Sequence, residues 1–210
     1  MKNFKSFRNL TTKELEIRSK HPNAHLVIPS MEFLKSYIKA IEEGFFDYAE
    51  VNPTILKEED QAQLFLTKIK SGLSWDTKIP CHVFWLMENN IFLGRIRIKN
   101  SLTPFNDPVW NDINTFKGGH IGYSIAPTHR GQGLAILQLS LALDKLQELA
   151  PNLPVAFHTI DISNIASIKT TLGCGYSLHD SLTVEKNNYQ VFVLPLNSNT
   201  IKIPNYHKNT

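Results

Sequence analysis

GYSIAPTHRGQGLAILQLS, residues 122–140, joins an apolar strand to a strongly apolar helix through a turn that contains glycine and proline. Five of the ten glycines fall between Gly118 and Gly133. Glycine permits a positive φ, and the first N–H groups of a helix have no partner within that helix. The helix dipole adds to the attraction of these amides for negative charge. The stretch therefore predicts an anion-binding turn between a strand and a helix.

The segments on either side of this stretch predict a mixed α/β sheet covered by helices. Apolar residues recur at helical spacing in some segments and alternate with polar ones in others, with turn residues between them. The predicted order is α, β, α, α, β, β, β, α, β, α, β, β. The elements occupy approximately residues 11–20, 25–28, 30–44, 56–70, 81–87, 91–98, 120–126, 134–150, 155–160, 163–173, 176–184 and 189–196.

Composition excludes several classes of protein. The 210 residues are 42% hydrophobic, enough for one globular domain with a sizeable core. The 22 Lys and Arg against 19 Asp and Glu include no basic run, so we expect no nucleic-acid partner. The N-terminus lacks the apolar core of a signal peptide, and no run of about 18 apolar residues occurs, so we expect no membrane segment.

Cysteine and histidine usage argues against a structural disulfide or a metal centre. Cys81 and Cys174 lie far apart and form no CxxC pair, which fits a reducing cytoplasm. Cys174 is expected to be a buried or incidental thiol. The eight histidines show no HxH or HExxH spacing, and we expect no metal site.

The turn matches neither of the two best-known phosphate loops, because GxxxxGK[ST] and GxGxxG are both absent. Instead, RGQGLA at residues 130–135 resembles the [QR]-x-x-G-x-[GA] acyl-CoA signature of the GNAT superfamily of N-acetyltransferases. Downstream, DISNIASIKTTLGCGY at residues 161–176 resembles the family's N-x-x-[AS] motif, here Asn164 and Ser167, followed by Gly175 and Tyr176. GGHIGYSI together with NIASIK is similar to a bacterial branch of predicted acetyltransferases.

The resemblance implies a splayed central sheet in a GNAT-like domain over residues 25–197. Residues 1–24 would then be a polar helical extension, and residues 198–210 a tail. It also implies acetyl-CoA as co-substrate, with the pantetheine arm along one strand and the pyrophosphate on the turn. Asn164 would touch the pantetheine or adenosine portion, the alternative being an ordinary helix cap. The other implied donor-site residues are Ser124, Ile125 and Ala126 on the strand and Arg130, Gly131, Gln132, Gly133, Leu134 and Ala135 on the turn.

Glycine at position 133 has a specific predicted role. We expect a branched residue there, as in Gly133→Val, to obstruct the pyrophosphate while leaving the fold mostly intact. The backbone amide of Arg130 is expected to matter more than its side chain.

Acetyl transfer from an activated thioester needs only a positioned amine, so we expect direct attack in a ternary complex. The strand before the turn lacks the carboxylate that many relatives use as general base. His120 is the candidate replacement, and a core or loop histidine bonded to backbone is the alternative. Relatives often place an acidic tyrosine seven residues after the Asn, a position that is Thr171 here. Tyr123 is then the candidate acid, and strand alternation places His120 and Tyr123 on opposite faces.

The activity expected is N-acetylation of an amine on a small molecule or a protein. The alternatives are a non-catalytic acyl-CoA-binding module and an enzyme that uses a different acyl-CoA. The loop 101–117 is predicted to cover the acceptor site, where Asp107 and Asp112 either attract a cationic amine or are simply solvated.

The strand over residues 91–98 carries a row of cations. Arg95, Arg97 and Lys99 alternate with Ile96 and Ile98, so one face is either solvated or directed at a ligand. The solvated face is the simpler interpretation.

Overall fold

The computed structural model of the chain describes residues 8–45, 52–72, 81–99, 119–184 and 187–196. The predicted loop 101–117 and tail 198–210 lie outside these residues. The described helices are α1 Thr12–Lys20, α2 Met31–Glu42, α3 Glu59–Lys70, α4 Leu134–Leu149 and α5 Ile165–Gly173. The described strands are β1 His25–Val27, β2 His82–Glu88, β3 Ile91–Ile98, β4 Ile121–Ile125, β5 Val155–Asp161, β6 Ser177–Val184 and β7 Asn187–Pro195.

The predicted α/β order is confirmed. One boundary differs, because the helix expected over residues 56–70 is a short 3-10 turn, Ile55–Lys57, followed by α3. Glu58 between them has an extended backbone, with φ of −82° and ψ of 125°, which interrupts the helix. The acidic pair Glu59 and Asp60 then occupies the first turn of α3, where the helix dipole favours negative charge.

The strands form two sheets, β1-β2-β3-β4 and β5-β7-β6, whose paired neighbours are antiparallel. The β2-β3 hairpin turns at Asn89 and Asn90, which have φ values of 50° and 64°. Two consecutive positive φ values are what a type I′ hairpin turn requires, and Asn tolerates them better than most residues. Local sequence chemistry thus determines the pairing next to the turn, Glu88 with Ile91, and the register shifts by one residue between Met87 and Leu86.

Both faces of the first sheet are covered. On one face α4 buries Ile136, three leucines and Ala142 against Ile96, Ile98 and Ile121. On the other face an aromatic cluster joins α2 to the hairpin, where the rings of Tyr37 and Trp85 stack with centroids 4.5 Å apart. This double cover fixes β3 in the interior of the molecule.

The solvated face predicted for β3 is wrong at two of its three cations. Arg95 and Lys99 are only 6% and 7% exposed, although Ile96 and Ile98 on the opposite face are completely buried. The reason is tertiary, because β3 lies between β2 and β4 and α2 brings Tyr37 close to Arg95. Burial lowers the pKa of Arg95 to about 10, and the neighbouring Arg97 adds to the effect.

The helix predicted in the N-terminal extension packs on the domain rather than projecting from it. Thr11 caps α1 in a capping box with Glu14. The Arg18 guanidinium donates to Asp144 on α4 at 2.7 Å, and Ile17 is buried in a cluster that includes α4 leucines. Among the described helices, none is both long enough and apolar enough to cross a bilayer.

Candidate active site

A pocket of about 560 Å³ opens between the C-terminal end of β4 and the first turns of α4 and α5. Its wall combines strand backbone, the glycine turn and polar side chains of α5. Among the described residues of this wall there is no carboxylate, whereas Lys13, Arg130 and Lys169 are cationic. The lining residues are Lys13, Tyr123, Ser124, Ile125, His129, Arg130, Gly131, Gly133, Leu134, Ala135, Ile136, Asn164, Ala166, Ser167, Lys169 and Thr170.

The glycine turn presents unpaired amides to this pocket. Gly131 and Gly133 both have φ of 79°, in the left-handed region. Within the described residues, the N–H groups of residues 131–135 have no hydrogen-bond acceptor, since α4 begins at Leu134 and its N-cap residue supplies no side chain. Arg130 anchors the turn by donating from Nε to the carbonyl oxygen of Ile125 at 3.2 Å. The unpaired backbone amides that the sequence predicts at this turn are therefore present.

The splay lies between β4 and β5, which belong to different sheets. They are joined at one end, where the N–H of His120 donates to the carbonyl of Phe157 at 3.1 Å. Gly119 permits this approach, because a β-carbon there would lie 2.2 Å from the Phe157 carbonyl oxygen. Beyond this junction β4 pairs only with β3 in the described sheets, so its other edge faces the pocket.

Along that edge, the three strand residues predicted to contact the donor differ in their surroundings. The N–H of Ala126 donates to Leu93 on β3 at 2.9 Å, and Ala126 is completely buried outside the pocket wall. Backbone polar groups alternate between the two edges of a strand, so the N–H groups of Tyr123 and Ile125 face the open edge. Ser124 lines the pocket, and its buried hydroxyl has no hydrogen-bond partner among the described residues. A buried, unpartnered hydroxyl in a pocket wall is a candidate ligand contact.

Tyr123 crosses the gap between β4 and α5. Its hydroxyl lies 3.1 Å from Oγ of Ser167 and also interacts with the hydroxyls of Thr170 and Thr171. Burial raises the pKa of Tyr123 in spite of these hydrogen bonds, so its phenol keeps its proton at neutral pH. The Tyr123 phenol extends from β4 and lies beside Thr171. Thr171 is the position on the helix at which the family resemblance implies a tyrosine.

His120 lies behind the pocket rather than in its wall. Its side chain is completely buried, and its Nδ1 accepts the N–H of Phe157 at 3.1 Å. The ring also packs edge-on against Phe157, with centroids 4.5 Å apart. The contacts favour the alternative predicted for this residue, a histidine bonded to backbone.

A second buried histidine, His158, lies close to Tyr123. Its Nδ1 is 3.2 Å from Oγ1 of Thr171, and its ring stacks on Tyr176 with centroids 4.8 Å apart. Burial lowers the pKa of His158 to about 3, and His120 contributes further in the same direction. His158 is therefore neutral in the folded protein at neutral pH.

Asn164 and Cys174 both have structural contacts. The Asn164 side chain accepts the N–H of Ser167 at 3.1 Å, so it caps α5 and lines the pocket at once. Cys174 is buried as predicted, with its thiol directed at the Ile136 carbonyl, and burial raises its pKa. A raised pKa makes a thiol a poor nucleophile.

The structure explains the need for glycine at position 133 by a contact other than the predicted one with the pyrophosphate. A β-carbon on Gly133 would not project into the pocket, because it would lie 2.5 Å from Cδ1 of Ile17 on α1. At Gly131, by contrast, no atom lies within 4 Å of the β-carbon position. The expectation that Gly133→Val leaves the fold mostly intact is therefore not supported by the packing.

The structure brings most of the predicted residues into one wall and leaves three outside it. Ser124, Ile125, Arg130, Gly131, Gly133, Leu134, Ala135, Asn164 and Tyr123 line the pocket, and Ala126, Gln132 and His120 do not. Sequence reasoning missed six of the lining residues, namely Lys13, His129, Ile136, Ala166, Lys169 and Thr170. Lys169 and Thr170 lie on the helix that follows Asn164, which was a usable signal, whereas nothing near Lys13 in the sequence points to the pocket.

A family model described as "Acetyltransferase (GNAT) domain" matches residues 40–177, which include the turn, the splayed edge and α5. The chain belongs to the GNAT acetyltransferase family. The predicted resemblance is confirmed. Within the described ranges, no three His, Cys, Asp or Glu side chains of this GNAT protein lie together as a metal centre would require.

Solved structures share the fold of this acetyltransferase. Mycobacterium smegmatis RimJ in complex with CoA-disulfide is 15% identical, with a TM-score of 0.55 over 82% of this chain and 81% of that one. Spermidine/spermine N-acetyltransferase SpeG from Vibrio cholerae, in complex with manganese ions, is 15% identical, with a TM-score of 0.52 over 84% and 94%. At these identities the likeness shows the GNAT fold alone. No curated protein matched the sequence significantly.

Proposed function

We propose that the chain transfers an acetyl group from acetyl-CoA to an amine by direct attack in a ternary complex. The observation that carries the proposal is the run of backbone N–H groups from Gly131 to Ala135 that have no hydrogen-bond acceptor among the described residues. They lie at the start of a 16-residue helix, beside a pocket whose described lining contains no carboxylate. Such amides suit a pyrophosphate, as does the helix dipole behind them. The CoA-disulfide bound by the Mycobacterium smegmatis relative supports the same ligand class.

The open edge of β4 supplies the place for the pantetheine arm. The N–H groups of Tyr123 and Ile125 face this edge and are available to amide oxygens of the arm or to the thioester carbonyl. An N–H aimed at that carbonyl oxygen stabilises the negative charge that develops during attack. Ser124 adds a hydroxyl that has no other described partner. The donor site would thus comprise Ser124, Ile125, Arg130, Gly131, Gly133, Leu134, Ala135 and Asn164, with Ala126 and Gln132 in support.

Tyr123 is the proposed acid for the departing thiolate. Its raised pKa keeps a proton on the phenol, and its hydroxyl lies at the start of the gap between β4 and α5. As a base, His120 would have to act through water, because its ring is buried. The hydrogen bond that its Nδ1 accepts from the Phe157 N–H opposes this role. An acceptor amine that loses its proton before binding needs no side-chain base.

The acceptor is an amine on a small molecule or a protein. Spermidine and spermine, named for the Vibrio cholerae relative, are amines and support that class. The loop 101–117, with Asp107 and Asp112, stays the predicted cover of the acceptor site. The spacing of the two cysteines supports action in a reducing cytoplasm.

Two measurements test the proposal. Titration calorimetry with acetyl-CoA should give saturable binding to the folded protein. A free-thiol assay over a panel of amines should then show CoA release that depends on the acceptor. Binding without such release would favour the non-catalytic module, and release with succinyl-CoA or a longer acyl-CoA alone would favour a different donor.

A further inference from the structure

The N-terminal helix α1 forms part of the pocket wall although it precedes the residues that the family model matches, 40–177. Lys13 of α1 lines the pocket, and Ile17 packs against Gly133 in the anion-binding turn. Thr11, at the start of the helix, donates its hydroxyl to the Gly173 carbonyl of α5 at 2.8 Å. One helix therefore touches both α5 and the turn that borders the pocket.

Charged contacts hold α1 in this position. Arg18 donates to Asp144 of α4 at 2.7 Å, and both side chains are largely buried, at 13% and 14% exposure. Glu14 is completely buried and pairs with Arg8. Breaking a buried pair leaves an uncompensated charge, so these contacts oppose detachment of the helix. The position of Lys13 relative to α5 is consequently defined.

Lys13 and Lys169 project on the same side of α5. A β-carbon on Gly173 would lie 3.7 Å from Cδ of Lys13, so the lysine stem passes over Gly173. Lys169 precedes Gly173 by four residues, which places both on one face of the helix. Both lysines line the pocket, and this shared face of α5 places their side chains on the same part of its rim.

The acidic groups nearest to Lys13 on its own helix have other partners. Glu16 pairs with Lys20 at 2.5 Å, and Glu14 pairs with Arg8. Within the described residues, neither Lys13 nor Lys169 forms an ion pair, and both are exposed at the rim. While the turn amides bind the pyrophosphate, a second anionic group of the same ligand can therefore approach both ammonium groups.

We propose that Lys13 and Lys169 together bind a phosphate monoester on the nucleotide end of the acyl donor, which makes α1 part of the donor site. The inference rests on the proposed function, because it presumes that a coenzyme A thioester occupies the pocket. Coenzyme A carries a pyrophosphate and a separate 3′-phosphate. The turn takes the former, and the two lysines take the latter.

The experiment compares CoA with dephospho-CoA, which lacks only the 3′-phosphate. Calorimetric titrations use the full chain as wild type, Lys13→Gln and Lys169→Gln. The matched control is Lys70→Gln, which changes an exposed lysine of α3 outside the pocket wall. Wild type should bind CoA about tenfold more tightly than dephospho-CoA, as expected for charge-assisted hydrogen bonds. Each pocket variant should weaken CoA by about three- to tenfold and change dephospho-CoA by less than about twofold.

Salt dependence supplies a second readout, since the binding of CoA to wild type should weaken with salt more steeply than its binding to Lys13→Gln. Equal affinity of wild type for the two ligands would overturn the inference. Parallel losses for both ligands in Lys13→Gln would also overturn it, because they would indicate a structural effect through α1. Failure of CoA itself to bind the folded wild type would instead overturn the proposed function.

Discussion

The side chain of Ile17 occupies the space into which a β-carbon on Gly133 would project, with its Cδ1 only 2.5 Å from that position. The two residues are distant in sequence, yet their contact joins the N-terminal helix to the anion-binding turn. Gly133 is thus required for two reasons, its positive φ of 79° and the close approach of α1. A glycine in a ligand-binding motif can therefore be required by helix packing as well as by the access of the ligand.

Substitutions at the two glycines of the turn distinguish the effect of the positive φ from the effect of the contact with α1. Gly131→Ala imposes only backbone strain, because its β-carbon would meet open space, and should lower the free energy of unfolding by about 1–2 kcal/mol. Gly133→Ala adds a clash with Ile17 and should cost roughly 2–4 kcal/mol in total. Urea denaturation of both variants measures the difference.

A double substitution identifies the origin of the extra cost. The double variant of Ile17→Ala and Gly133→Ala should lose less stability than the sum of the two single losses, because truncation of the buried Ile17 also relieves the clash. Equal costs for the two single glycine variants would show that α1 yields without penalty, contrary to the packing seen.

Tyr123→Phe removes only the hydroxyl proposed as the acid. The kcat should fall by about 100-fold, the lower end of the usual range for loss of a general acid, while the Kd of acetyl-CoA changes by less than about twofold. Because burial raises the pKa of Tyr123, its contribution should persist through mildly alkaline pH. Steady-state kinetics with a free-thiol readout gives the kcat, and calorimetry gives the Kd.

Tyr176→Phe is the matched control, since the Tyr176 hydroxyl is buried without a hydrogen-bond partner among the described residues. Its removal should leave kcat unchanged and leave stability equal or slightly higher. An unchanged kcat in Tyr123→Phe, measured on folded protein, would remove Tyr123 from the reaction.

His120→Ala distinguishes a base from a structural histidine. The bond from the Phe157 N–H to Nδ1 would be lost in a fully buried site, so the free energy of unfolding should fall by about 1–3 kcal/mol. The kcat/KM per folded molecule should fall by less than about tenfold. The reverse pattern, a loss of about 100-fold at unchanged stability, would establish His120 as the base.

His158 should make folding sensitive to acid. Its pKa is lowered from 6.5 to about 3 by burial, so between these values the unfolded chain binds a proton that the folded chain does not. Its contribution to stability is complete above pH 6.5 and is lost as the pH falls toward 3, with a slope of up to about 1.4 kcal/mol per pH unit.

His158→Phe keeps a ring to stack on Tyr176 and removes the titrating group. Urea denaturation at several pH values between 7 and 4 should therefore show a shallower loss of stability in the variant than in wild type. If the free energy of unfolding fell equally steeply with pH in both proteins, His158 would not be the source of the acid sensitivity.

Local sequence alone specified the element order, the hairpin turn at Asn89 and Asn90, and the glycine turn before α4. Helical and strand periodicities are encoded within a few residues, and a type I′ turn or a helix N-terminus is a local feature. The family motifs also lie in continuous segments, so the resemblance to the GNAT family can be recognised from the amino-acid sequence.

Which of these residues meet depends on tertiary packing. Arg18 and Asp144, separated by 126 positions, hold α1 on α4 and so bring Lys13 to the pocket, which no local pattern indicates. Burial of Arg95 likewise depends on the helix that covers β3. Tyr123 faces the pocket while His120 bonds to Phe157, because the splay of two sheets, rather than strand alternation alone, sets their surroundings.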